Sequence, residues 1–254
     1  MPLAVKAPSR KEILERVAGG TVLGAMLSVM GTAPALVNAK GVSDTDILNF
    51  ALNLEYLEAE FYNYAVNGKG IDQQGVSVTG SGAPGLTQGG AKVPLSDPMM
   101  IAVAQQLAYD ELSHVQLLRS ALGKDAIAKP VINLGALGLG FRSPAEFLTL
   151  ARAFEDTGMS AYGGAAPLIS SKDILGTAAR ILAAEAQHTG ALRILLAQSR
   201  VPTKPLDGSD IVPPPSGNQY FSVDKNALAT IRTPEQVLAI VKPFFPNGLN
   251  GAIK

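Results

Sequence analysis

The sequence predicts an all-α protein: a four-helix bundle with a long crossover connection, followed by a loop-rich C-terminal extension that carries one short helix. Three observations predict it. Four segments place apolar residues at helical spacing between cap and stop signals. The only two histidines, His114 and His188, each follow a glutamate by three residues, as Glu111-x-x-His114 and Glu185-x-x-His188. At that spacing on an α-helix, carboxylate and imidazole project from one face. The other two segments share Glu55-x6-Tyr62 and Glu155-x6-Tyr162.

The chain divides into residues 1–39, 40–199 and 200–254. In the first part Lys6, Arg10, Lys11 and Arg16 precede an uncharged run from Val17 to Ala39 that ends Leu36-Val37-Asn38-Ala39. Small residues at such a boundary suit a signal peptidase. Ser9-Arg10-Lys11-Glu12-Ile13-Leu14 resembles a degenerate twin-arginine export signal. The expectation is an export signal that places the protein in the periplasm or outside the cell. The alternative is a retained anchor, with residues 17–39 attached to the membrane and the rest facing that same side. Gly19, Gly20, Gly24, Gly31 and Pro34 make the run a poor helix.

The first helix begins at Ser43-Asp44-Thr45-Asp46, a cap with acidic residues in its first turn, and runs to about Val66 before Asn67-Gly68. Residues 68–95 hold no helical period and read as a long loop, with a hairpin around Val76-Ser77-Val78. The second helix opens at Ser96-Asp97-Pro98 and stops at Gly123. Residues 124–142 form the glycine-rich crossover. The third helix opens on the capping-box pattern Ser143-Pro144-Ala145-Glu146, weakens at Gly163-Gly164 and ends near Pro167. The fourth runs from Ser170 or Ser171 to about Ser199. Beyond Arg200 the prolines give an extended stretch. A short helix is expected from Thr233-Pro234-Glu235 to about Val241, with Phe244 and Phe245 packing back on the bundle.

Each of the four helices has an apolar seam with an acidic centre. The first seam reads Leu48, Ala51, Glu55, Glu58, Tyr62, Ala65; the second Met100, Ala104, Leu107, Glu111, His114, Leu118, Ala121. The third reads Leu148, Ala151, Glu155, Gly158, Tyr162, Ala165; the fourth Ala178, Ile181, Glu185, His188, Leu192, Leu195. An ionised carboxylate in a dry core costs several kcal/mol unless it is paired or bound to metal. Arg119, Arg152, Arg180 and Arg193 are expected off the seams, near helix ends or on outer faces, and Glu60 is expected to face solvent. A bundle with Glu-x-x-His on two helices and a glutamate on each of the others can hold two metal ions. The candidate ligands are Glu55, Glu111, His114, Glu155, Glu185 and His188, with Glu58 as a replacement for Glu55 or an additional ligand. Tyr62 and Tyr162 are placed to donate hydrogen bonds to ligand carboxylates. Carboxylate and imidazole suit two transition-metal ions, iron or manganese, and zinc can also bind such donors.

Composition narrows the partners. With 21 basic and 21 acidic residues, the chain offers no charge excess for nucleic acid. Cysteine is absent, which excludes disulfides, iron–sulfur clusters and thiolate zinc sites.

These helices and their ligand pattern resemble the ferritin-like superfamily of dimetal carboxylate proteins. The segments Asn53-Leu54-Glu55-Tyr56-Leu57-Glu58-Ala59-Glu60-Phe61-Tyr62 and Phe244-Phe245-Pro246-Asn247-Gly248-Leu249-Asn250-Gly251 more specifically resemble the desiccation-related ferritin-like proteins. The resemblance implies redox chemistry toward peroxide or dioxygen, catalase-like with manganese or oxidase- and ferroxidase-like with iron, in oxidative or desiccation stress. The reading from another class is an exported or membrane-attached stress scaffold whose metal site is structural or vestigial. Iron sequestration is a third. The residues leave a homo-oligomer open, although the long loop and tail would crowd a hollow cage.

Overall fold

The structure, a computed structural model, describes residues 41–254; the export signal or anchor expected over residues 1–39 lies outside the described residues. The four long helices are α1 (Asp44–Asn67), α2 (Pro98–Leu122), α3 (Pro144–Ala165) and α4 (Lys172–Gln198), and a short α5 (Pro234–Val241) follows. Each starts on the kind of residue that can accept from its own first turn. Ser43 and Asp46 close a reciprocal capping box on α1, Asp97 accepts from the Met100 amide at 2.8 Å, and Ser143, Ser171 and Thr233 cap the others. Helix α1 ends on Gly68 in the left-handed region (φ 70°), where a side chain would be strained. Among the described residues no helix is long and apolar enough to cross a membrane.

Helix α1 packs chiefly on α2, and α3 on α4, so the bundle is two helical hairpins. They meet mainly along α1 and α3; the α2–α4 side is the thinner seam. The Asp44 carboxylate accepts both the Ser170 and the Ser171 amide at 2.8 Å, fastening the α3–α4 turn to the start of α1. Phe61 sits at the junction of the hairpins, stacked on Phe147 and edge-on to Phe141 and Phe154 at ring distances of 5.1–5.6 Å. Phe154 in turn meets Phe244 at 4.9 Å.

The hairpin expected around Val76-Ser77-Val78 does not form. Residues 68–95 pair instead with the crossover, through a Ser81–Ile127 bridge and a short parallel ladder between β1 (Thr87–Gln88) and β2 (Ile132–Asn133). Gly80 and Gly85 make the approach possible: a Cβ on either would lie 2.2 Å from crossover backbone. Arg119, at the end of α2, donates to the Ile127 and Thr79 carbonyls and the Ser77 hydroxyl, holding loop and crossover together.

This layer covers the outer face of α1, which is buried almost all round. Glu60, expected to face solvent, is therefore buried and lies 3.2 Å from Lys129 of the crossover. Asn250 of the tail ties the layer down. It exchanges hydrogen bonds with Asn53 of α1 (2.9 and 3.2 Å), and its amide nitrogen donates to the Ala83 and Ala128 carbonyls.

The extension covers the other hairpin in the same way and overturns a second expectation. Arg152 and Arg193 are among the most buried side chains, because residues 200–232 form a wall that seam counting on four helices cannot see. One terminal nitrogen of Arg152 donates to both oxygens of Asp210 at 2.6 and 2.7 Å, Arg193 reaches Asp156 at 2.6 Å and the Tyr220 carbonyl at 2.8 Å, and Arg232 pairs with Asp207 at 2.7 Å. Arg180 is exposed as expected. On α2 the seam's last position also shifts: Ala121 is exposed and Leu122 is buried.

Candidate metal centre

Each helix delivers its acidic residue to the middle of the bundle. Glu55, Glu111, Glu155 and Glu185 are fully buried, and the two imidazoles close the site on the α2–α4 side, their ring centres 6.1 Å apart. His114 Nδ1 lies 3.3 Å from Glu55, 3.1 Å from Glu111 and 3.4 Å from Glu185. His188 Nδ1 lies 3.0 Å from Glu111 and 3.2 Å from Glu155. Two four-residue groups result, Glu55-Glu111-His114-Glu185 and Glu111-Glu155-Glu185-His188, each offering ligand atoms within 4.8 Å of one another. Glu111 and Glu185, the glutamates of the two Glu-x-x-His pairs, belong to both groups.

The structure thus brings all six sequence-selected ligand candidates together. Glu58 lies one turn beyond Glu55. A Cβ placed on Gly158 would be 2.7 Å from Glu58 Oε1 and 3.0 Å from Glu185 Oε2, so both carboxylates occupy the space the glycine leaves. Glu55, not Glu58, is the α1 residue in the histidine-containing groups. Tyr162 donates to Glu55 Oε1 across the hairpin interface. Tyr62 is buried beside Glu155 and reaches the Ala151 carbonyl only at 3.5 Å.

Asp110 was not selected from the sequence. Its carboxylate lies 3.2 Å from His188 Nε2 and accepts from Gln106 at 2.7 Å. With Nε2–H donated to Asp110, Nδ1 is the His188 nitrogen turned to Glu111 and Glu155, and it is the atom that a metal ion held there would take. The only signal in the sequence is an acid beside Glu111, turned toward α4, and it becomes informative once α4 is placed.

The electrostatics show what the residues lack. Burial, then the charges of Glu185, Glu155, Glu111 and Glu55, push the Glu58 carboxyl well above the usual range. Burial and the charges of Glu111 and Glu155 do the same to Glu185. Burial and Glu155 raise Glu111 to about 7 against hydrogen bonds from both histidines. At Glu55 burial raises the carboxyl, and His114 with its hydrogen-bonding neighbours outweighs it, leaving a net depression. Both imidazoles are driven upward, burial notwithstanding, because carboxylates surround them; His188 reaches about 12. One oxygen each of Glu55, Glu111 and Glu155, and both oxygens of Glu185, have no well-aligned hydrogen-bond partner. Five carboxylates and two imidazoles in a dry core therefore require protons or cations. Two divalent ions would supply four positive charges against five negative ones, and the orphaned oxygens are the donor atoms such ions take. The residues fit a pair of metals.

Comparison with known proteins gives the family. Residues 43–198 match the ferritin-like domain family. The chain is 30% identical over 171 residues to desiccation-related protein PCC13-62 of Craterostigma plantagineum, a match covering 61% of this chain and 53% of that protein. It is 22% identical over 273 aligned residues to ferritin-like catalase Nec2 of Nesocodon mauritianus, covering 85% of this chain and 86% of that protein. The chain thus spans about half the length of the first relative.

Proposed function

The chain belongs to the ferritin-like domain family, and from that premise we propose that it holds two iron or manganese ions and reacts with peroxide or dioxygen in oxidative or desiccation stress. The observation that carries this reading is the pair of overlapping donor groups sharing Glu111 and Glu185. Glu55 and His114 would hold one ion, Glu155 and His188 the other, and Glu111 and Glu185 both. When bound, such ions supply reversible one-electron redox chemistry toward peroxide or dioxygen.

The rest is the work of this chain's own side chains. Asp110 fixes the tautomer of His188. Tyr162 orients Glu55, and Tyr62, whose phenol is driven upward by burial and Glu155, stays protonated beside that carboxylate. The Glu58 carboxyl, driven upward by burial and the surrounding glutamates, lies against Glu185, so in its protonated form it is placed to give a proton into the site. The relative named a ferritin-like catalase supports peroxide as the substrate. The basic-then-uncharged order of residues 1–39 supports export or anchoring at the membrane, which N-terminal sequencing of the purified protein checks. The test of function is metal reconstitution followed by peroxide turnover: Glu111→Ala with His114→Ala should abolish both bound metal and turnover. Intact protein that takes up no transition metal and turns over no peroxide would refute the proposal.

A second reading, a stress scaffold with a structural or vestigial site, is favoured by the long irregular walls that residues 68–95 and 200–254 add to the bundle. Under that reading the same double substitution leaves the protein's role in the cell intact.

A further inference from the structure

The two hairpins match in pattern but not in filling. Tyr62 on α1 and Tyr162 on α3 hold equivalent places, each seven residues after its helix's glutamate. At the Tyr62 end of the bundle Tyr62 and Leu148 are completely buried, and the rings of Phe61 and Phe147 lie 5.0 and 6.1 Å from the phenol ring. At the other end the equivalent Tyr162 and Leu48 are 7% and 8% exposed, because both line a cavity of about 170 Å³. Leu117, Ala121 and Asp173, all exposed, stand at its mouth, and Leu118 and Ile181, both buried, at its inner end. Leu118 follows His114, and Ile181 precedes Glu185, by four residues, about one helical turn. Among the described residues the polar groups that line the cavity are already committed. Tyr162 gives its proton to Glu55, the Thr177 hydroxyl donates to the Asp173 carbonyl at 3.2 Å, and Asp173 itself is exposed to water.

We propose that this cavity is a binding site for one small apolar organic molecule, an aromatic or short alkyl body about the size of benzene, seated against the Tyr162 ring. An ordered water needs two to four polar partners, and an apolar cavity of this size stays dry and admits apolar molecules instead. A polyol or an ion entering it would give up its hydration without replacement. Left empty, the lining forfeits dispersion contacts that an apolar occupant restores. The cavity shares no side chain with the six candidate metal ligands. Under the dimetal reading it places an organic molecule about one helical turn from the centre; the binding itself does not rest on that reading.

The test is calorimetric titration of the full chain, as purified, with benzene, and with glycerol as a polar parallel probe. The expected result is saturable one-to-one binding of benzene alone. Ala178→Leu, which fills the cavity from α4, should weaken it at least about tenfold, and Ala121→Leu, which narrows the mouth from α2, several-fold. Ala121 is exposed, so its substitution should leave the fold unchanged; should Ala178→Leu fail to fold, Ala121→Leu decides. Absence of saturable benzene binding overturns the proposal. So does binding indifferent to whichever of these variants folds, which would put the benzene elsewhere, or equal binding of glycerol, which would make the site polar. Metal content and peroxide turnover are read separately, so failure here leaves the dimetal reading standing.

Discussion

Asp110 and Tyr162 show how single side chains outside the six candidate ligands govern them. Asp110→Ala removes the acceptor for His188 Nε2, and metal affinity, measured by competition with a chelator, should fall roughly 10–100-fold. Tyr162→Phe keeps the ring but strips a hydrogen bond from the buried Glu55. Its cost should be about 1–3 kcal/mol, read as weaker metal retention with an unchanged fold. The six candidate ligands were legible in the sequence because each Glu-x-x-His pair lies within one helix, where spacing alone sets the face. Asp110 was not, since its partner stands on α4, and Glu60 was misplaced because its partner Lys129 lies on the crossover. Local periodicity does not report a contact made between distant segments.

Within an element, α3 sets the width of the site at Gly158. Gly158→Ala adds about 1 kcal/mol of helix propensity, yet its methyl would sit 2.7 Å from Glu58 and 3.0 Å from Glu185. The variant should melt no lower than the parent by circular dichroism while losing metal and turnover. Helix α4 gives the opposite case. Arg193→Ala leaves Asp156 buried with less compensation and strands the carbonyls of Ile211 and Tyr220. It should destabilise by about 3–5 kcal/mol in denaturant unfolding and expose residues 200–232 to hydrogen exchange. Helix boundaries were legible from capping residues. The loop over 68–95 was not, because its structure comes from pairing with the crossover, which only the close approach at Gly80 and Gly85 allows.

Across the whole molecule, two helical hairpins of matching pattern face each other, and two irregular layers seal them. The matching pattern, Glu-x6-Tyr against Glu-x-x-His, was visible in the sequence and carries the ferritin-like fold. The sealing layers were visible only as composition; their role in burying Glu60, Arg152 and Arg193 follows from tertiary contacts. Sealing is what makes the centre demand cations, since a wet site could leave its carboxylates hydrated. The most direct test of that demand is the metal stoichiometry of the purified protein, wild type beside Glu185→Ala. The account predicts two transition-metal ions per wild-type chain and a collapse in both sites together in Glu185→Ala, because that carboxylate belongs to both groups. A wild-type chain that carries no metal after reconstitution, or a variant that keeps its full complement, would contradict it.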